Sequence, residues 1–413
     1  MRDAIIRDGA KTAVPDVRLS LERDLTTLEP EWCAFEQRAD CTVFQSFGWL
    51  ATWHRHIGRH KGVQPAIVIG REAGGDILFF LPLSVESRHL GRRLTWLGSG
   101  TNDYNAPLLA PDFSAALAPR KFASLWPAIM ERIRSDPALR FDLIHLERMP
   151  QRVGSQANPF LELPVTIHPS GAYLTHLAGD WDSFYASRRS SATRKRDRRK
   201  RKHLEELGGV SFVTPEDQEE LARSFDTLVA QKTRSFAARG VPNMFRRTGC
   251  ADFYRSLAMN AATRPIVHLS RLDVGGQTAA VSLGLTFRGS YYLVLSSYDV
   301  GELSRFSPGS AHLHELMRHA IDADCTVFDF TVGDEPYKRD WSENESMLFD
   351  HVSAARPYAA LVALPLLGSI RLKRAIKQTD VLWGMFNKAR AFVGRLVSGG
   401  PARAGSQPRG EAP

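Results

Sequence analysis

The sequence predicts an α/β protein built as two tandem units, each a mixed and mostly antiparallel sheet flanked by helices. Three observations carry this. The chain has 413 residues, more than one hydrophobic core usually organises. A hairpin, strand, helix and strand occur twice in the same order. Hydrophobic residues at 43% and charged residues at 24% suffice for packed cores. The expected units are residues 20–165 and 166–358. Residues 1–19 and 398–413 are expected to be disordered, the second tail being rich in Gly, Pro, Ala and Ser, and 359–397 to form a basic amphipathic helical segment.

The repeat justifies the elements in order. Residues 66–75, closing on Gly74-Gly75 before an apolar strand from Ile77 to Leu83, read as a hairpin with a glycine turn. Residues 266–276, closing on Gly275-Gly276 before a strand from Ala279 to Thr286, repeat the design. Phe122, Leu125, Trp126, Ile129, Met130 and Ile133 keep helical spacing and lead into a strand over 141–146; Leu313, Leu316, Met317, Ala320 and Ile321 do the same before Val327-Phe328-Asp329-Phe330. A hairpin that runs through a third strand into a crossover helix and a further strand specifies a mixed sheet with helices packed on it. Between the units, a helix closes at Gly208-Gly209, where glycine takes the left-handed end conformation. Thr214-Pro215-Glu216-Asp217 opens the next, which carries Leu221, Phe225, Leu228, Val229 and Phe236 on one face.

Net charge +9 and a pI of about 9.5 point to an anionic partner, whether nucleotide, nucleic acid or membrane surface. Ten of the fifteen residues 188–202 are Lys or Arg, opposed only by Asp197. A solvated face, a clamp for phosphates, an RNA strip and contact with anionic lipid all fit this run, though the lack of interleaved aromatics disfavours single-stranded nucleic acid. The first 19 residues lack the apolar core of a secretory signal, and no apolar stretch reaches the roughly 18–20 residues of a spanning helix. A cytoplasmic protein is expected, with peripheral contact to the inner face of the membrane through the C-terminal segment. There Leu372, Ile376, Trp383, Phe386 and Val393 fall near one helical face among Arg371, Lys373, Arg374, Lys377, Lys388 and Arg390; docking on the protein's own body fits equally. Cys33, Cys41, Cys250 and Cys325 are scattered and read as reduced thiols. His54, His56 and His60 lack a carboxylate companion, and no metal is expected.

Two segments carry the chemistry. Ser307-Pro308-Gly309-Ser310 stands between a strand and a helix, where unpaired backbone N–H groups suit a pyrophosphate. Asp334, Glu335, Tyr337 and Lys338 follow the Phe-Asp-Phe strand in a loop. Attack on a thioester needs a proton acceptor and a donor for the leaving thiolate; Glu335 fits the first and Tyr337 the second. Pairing of Lys338 with Glu335 or Asp334, and anchoring by Trp341, fit the same residues. Gly333-x-Glu335-x-Tyr337-Lys338-x-x-Trp341 after the Phe-Asp-Phe strand, with Ser307-Pro308-Gly309 upstream, resembles the signature of the CelD-type acetyltransferases of the GNAT superfamily. These are bacterial proteins linked to cellulose or exopolysaccharide production and related to the FemAB peptidoglycan aminoacyltransferases. Gln45-Ser46-Phe47-Gly48-Trp49 with Trp53 resembles that family's N-terminal element, and Asp103-Tyr104-Asn105-Ala106-Pro107 its Asp-Tyr loop, so the similarity spans roughly 21–352.

The resemblance implies a double GNAT-like fold and a donor that is acetyl-CoA or another acyl-CoA, with no metal. The donor's diphosphate would be held at Ser307, Pro308, Gly309 and Ser310; Glu335, Tyr337 and Lys338 form the catalytic set by their residue types, and proton removal by the substrate or by water stands as the alternative to Glu335. From position in the chain, Tyr298 and Asp299 at the end of the strand before the donor loop, and Asp103 and Tyr104 from the first unit, are assigned to the acceptor. The acceptor is an amine or hydroxyl of a small molecule, glycan or peptide. Two alternatives stand beside this one: a FemAB-like transferase that uses aminoacyl-tRNA on a cell-wall precursor, and a non-catalytic protein that binds nucleotide or membrane.

Overall fold

A computed structural model describes residues 17–118 and 121–379. The first half contains β1 (Arg18–Glu22), α1 (Leu25–Glu36), α2 (Phe47–Trp53), β2 (Gln64–Arg71), β3 (Ile77–Arg88), β4 (Gly91–Trp96), β5 (Leu108–Leu109), α3 (Phe113–Leu117), α4 (Phe122–Arg134), β6 (Leu143–Pro150), the small hairpin β7 (Arg152–Val153) and β8 (Gln156–Ala157), and β9 (Thr166–Ile167). The second half follows with β10 (Ala172–His176), α5 (Trp181–Arg188), α6 (Ser191–Glu206), β11 (Val210–Val213), α7 (Gln218–Ala238), α8 (Cys250–Met259), β12 (Val267–Val274), β13 (Gln277–Phe287) and β14 (Ser290–Tyr298). It ends with α9 (Pro308–Asp322), β15 (Val327–Val332), α10 (Pro336–Trp341), β16 (Asn344–Ser346), β17 (Leu348–Ala354) and α11 (Ala360–Gln378).

Two mixed sheets result. One runs β1-β2-β3-β4-β6-β17-β9, with β5 beside β3; the other runs β11-β12-β13-β14-β15-β10-β16. The duplicated pattern is visible in the pairing: β2-β3-β4 and β12-β13-β14 are antiparallel meanders, and each third strand meets its crossover strand in parallel. Gly275 and Gly276 close the second hairpin at φ +56° and +78°, and a Cβ on Gly275 would lie 2.7 Å from the Leu207 carbonyl oxygen.

The sheets exchange a strand. β17, which follows the second half in sequence, pairs antiparallel with β6 of the first sheet (Val352 opposite His145), while β10, directly after the first half, pairs with β15 of the second (Thr175 opposite Phe328). The division at residue 166 therefore separates the chain but not the sheets: β9 and β17, within the expected second unit, belong to the first sheet.

Other elements also depart from expectation. Arg18 and Leu19, assigned above to the N-terminal tail, pair with Arg71 and Gly70. The helix after Gly208-Gly209 is capped by Asp217, whose side chain accepts from the Glu220 N–H; Thr214 instead meets His268 Nε2 at 3.0 Å. α11 covers the first part of the expected basic segment; residues 380–397 and the tail 398–413, with Trp383, Phe386 and Val393, lie outside the described residues, as do residues 1–16.

One core runs through both halves. Trp49 stands edge-on to Phe253 at 4.9 Å, and Phe44 meets Tyr292 at 5.9 Å, so α2 and the turn before it pack directly against α8 and β14. A second cluster, Trp181, Phe184, Leu313, Leu316, Met317, Phe328, Phe330 and Trp341, fills the space between α5, α9, α10 and the second sheet.

Candidate functional site

Parallel pairing of β14 with β15 is confined to Ser290 opposite Val327, Tyr291 opposite Phe328 and Tyr292 opposite Asp329. Beyond it β14 stays with β13 as far as Tyr298, and the two parallel strands part. Leu293, Ser296 and Tyr298 line the opening, together with Ser307, Gly309 and Ser310 at the start of α9 and Tyr337 and Trp341 on α10, around a cavity of about 340 Å³. Ser307 adopts a left-handed conformation (φ +55°), Pro308 begins α9 at its first position, and no side chain caps this end. The amide end of a 15-residue helix thus meets the cavity without a side-chain cap.

Eight of the ten cations of the basic run fall on α6, which lies over the same opening, while Arg188 ends α5 and Arg189 caps it. Lys200 Nζ donates to Ser307 Oγ at 2.8 Å, and Arg201 binds Glu315 of α9 at 2.8 Å. A second cavity of about 470 Å³ shares Lys200, Ser307, Ser310 and His314 with the first and adds Arg194, Arg198 and Arg318. Asp197, the one acidic residue in the run, accepts from Tyr185 Oη at 2.7 Å and so supports the wall of that cavity.

On the other side of β15 lies a buried polar cluster that joins the two halves. Tyr104 Oη donates to Asp329 Oδ1 at 2.8 Å, and the Thr331 N–H donates to the same oxygen at 2.7 Å from a residue held at φ +60°. Burial pushes the Asp329 carboxyl up to about 7, against the pull of these two hydrogen bonds. Asp103 is likewise raised by burial, opposed by the Arg148 guanidinium 3.9 Å away. Lys338 is buried, its Nζ donating to the Val332 carbonyl at 2.9 Å and lying 3.2 Å from Glu335 Oε2. Burial alone would raise Glu335; the Lys338 ammonium, a backbone hydrogen bond and the Lys232 charge together outweigh it, and the carboxyl is lowered. A Cβ on Gly333 (φ +149°) would sit 2.3 Å from Glu335 Oε2 and 2.7 Å from Lys338 Nζ, so this ion pair needs glycine there. Burial pushes Lys232 of α7 down to about 8, with Arg239 adding to the effect and Glu335 opposing it.

The residues predicted from sequence therefore fall into two groups and one outlier. Ser307, Gly309, Ser310, Tyr298 and Tyr337 share one cavity, and Pro308 begins the helix beside it. Asp103, Tyr104, Glu335 and Lys338 gather around Asp329 and Thr331. Asp299 closes a turn, accepting from the Gly301 N–H at 3.1 Å, and lies 3.6 Å from Arg234. Asp329, Arg148, Lys200 and Lys232 were not among the predicted site residues.

The quoted N-terminal elements lock the loop that carries Asp103 and Tyr104. Gln45 Nε2 donates to the Tyr104 carbonyl at 2.9 Å, and Trp49 Nε1 donates to Asn102 Oδ1 at 2.8 Å. Asn102 Nδ2 in turn binds the Leu97 carbonyl and Asn105 Oδ1. In the first sheet β4 and β6 also part, after Leu94 opposite Ile144, but Trp96, Phe122 and Phe160 pack together there with ring centroids 4.8 Å apart, and Phe122 at the start of α4 is fully buried. The equivalent helix end of the first half is thus covered by aromatic packing.

No curated protein matches the chain. A conserved protein of unknown function from Bacteroides thetaiotaomicron VPI-5482 is 10% identical, over 82% of this chain and 100% of that one, with a TM-score of 0.53. The crystal structure of FemX is 11% identical over 81% and 98%, with a TM-score of 0.54. At these identities the likeness is one of fold. Residues 191–339, which hold α6, the parting strands and the first four residues of α10, match the acetyltransferase (GNAT) domain family, so the second half carries a GNAT-type domain within a tandem α/β chain of FemX-like fold.

Proposed function

We propose that this chain is an acyltransferase that takes its acyl group from a CoA thioester, with acetyl-CoA the simplest donor, and passes it to an amine or hydroxyl. The observation that carries the reading is the parting of β14 from β15 beside the uncapped start of α9, under a helix of cations. The amide of Gly309 and the hydroxyl of Ser310, with Lys200, bind the donor's phosphates, and the acyl arm enters between the strands. Tyr337 lines that path and keeps its proton at neutral pH, since burial pushes the phenol up, so it can protonate the departing thiolate. Glu335, kept ionised by Lys338, takes the proton lost by the nucleophile, and Lys338 positions it. Asp103 and Tyr104 border the acceptor side from the first half.

The CelD-type motifs and the FemX-like fold both favour an acceptor from polysaccharide or cell-envelope biosynthesis, handled on the cytoplasmic side. Arg194 and Arg198 at the second cavity favour one further reading, an aminoacyl-tRNA donor, which would show as copurifying RNA released steeply by salt. Titration calorimetry with acetyl-CoA tests the main reading. Gly309→Asp would set a carboxylate at the helix start, with its Cβ 3.1 Å from Tyr298, and should weaken binding at least about ten-fold. Unchanged affinity would refute the donor site.

A further inference from the structure

Among the described residues no helix is long and apolar enough to cross a membrane, yet α11 turns an apolar stripe outward. Leu361, Leu364, Pro365, Gly368, Leu372 and Ala375 are all exposed, and their spacing puts them within about 100° of the helix circumference. Leu361 is 80%, Leu364 68% and Leu372 61% exposed. The opposite face is fixed to the protein, because Ala363 and Ile370 pack on Leu143 of β6 and Val352 of β17. Near the helix end, Arg374 donates to the His168 carbonyl at 3.2 Å and Lys377 lies 2.6 Å from Asp334. The stripe therefore points away from the protein body by construction.

Charge decides what it faces. α11 contains Arg371, Lys373, Arg374 and Lys377 and no Asp or Glu. Arg371 and Lys373 are exposed on either flank of the stripe, ahead of the carboxyl end of the helix, which also favours cations. We infer that α11 is an interfacial anchor that lays this face on an anionic lipid bilayer, leucines in the acyl boundary and cations among the headgroups. A second copy of the chain would set two faces of the same positive sign against each other in an isologous contact. Residues 380–413 carry five further Lys or Arg against Asp380 and Glu411, so they are of the same sign. An anionic surface meets the cations and the leucines together. The bond from Lys377 to Asp334 then sets Glu335 and the start of α10, where Tyr337 lies, at a fixed relation to that surface.

The inference does not depend on the acyltransfer reading, and its test is separate. The full chain is sedimented with phosphatidylcholine vesicles, with and without phosphatidylglycerol. It should pellet with the anionic vesicles, and less so as salt rises. Arg371→Gln and Lys373→Gln should each weaken partitioning about five-fold. The triple exchange of Leu361, Leu364 and Leu372 for Ser should weaken it at least about ten-fold while the thermal melt stays unchanged, because these side chains are exposed. Equal pelleting with neutral and anionic vesicles, or an unaltered triple variant, would overturn the assignment. So would a dimer that the triple variant dissolves in light scattering, which would give the stripe to a second copy.

Discussion

Asp329 offers the sharpest test of the cluster that joins the two halves. Its carboxyl titrates near 3.8 when the chain is unfolded and is pushed up to about 7 by burial in the fold. Each decade of that displacement is worth about 1.4 kcal/mol, so ionising Asp329 in place costs on the order of 4 kcal/mol. The sign follows from the direction: the folded-state value is the higher one, so the contribution is full below about 3.8 and is lost as pH rises toward 7. Asp329→Asn removes the titration but keeps an oxygen for the Tyr104 hydroxyl and the Thr331 N–H. The other carboxyls titrate in both proteins and largely cancel in the difference. Denaturant unfolding at several pH values should show the variant gaining on the parent by about 3 kcal/mol between pH 5 and pH 8. Tyr104→Phe, which removes a hydrogen bond that lowers Asp329, should carry the parent's slope to higher pH. Parallel stability curves for Asp329→Asn and the parent over that range would refute the account of the buried carboxyl.

Two further outcomes follow from the loop after β15. Lys338→Met removes a buried ammonium from the Val332 carbonyl and from Glu335, and should lower stability by about 1–3 kcal/mol, read as a fall in denaturation midpoint; it should also let the Glu335 carboxyl return toward its ordinary range. Tyr337 is 37% exposed on the cavity, so Tyr337→Phe should leave the melt in place while slowing acyl transfer by roughly 10²-fold in a thiol-release assay, with donor affinity kept. A rate equal to the parent's would remove Tyr337 from the proton pathway.

Much of this was legible in the chain because it is local. Glycine turns, apolar spacing and the order of elements are written within a few dozen residues, and they placed both meanders and both crossover helices. Alternation along a strand explains two differences between the sequence pattern and the structure. Tyr298 and Asp299 are neighbours at the end of β14, so when one faces the cavity the other faces away, and Asp299 closes a turn instead. The same period turns Asp329 from Phe328 and Phe330 toward Tyr104; a carboxylate between two buried phenylalanines is the signal the sequence offers for it. The buried ammonium of Lys338 and the placement of Lys200 over Ser307 depend on contacts between distant segments, which no local pattern records.

The exchanged strands bear on how the chain comes to be made. Asp350 accepts a hydrogen bond from the Arg148 backbone, 202 residues earlier, so the first sheet stays open at its β6 edge until those intervening residues have been made. At ordinary elongation rates that edge waits roughly ten to forty seconds for its partner. A ribosome stalled after the first half would hold a half-built layer with an unpaired border, the kind of surface that chaperones shield and that aggregation exploits.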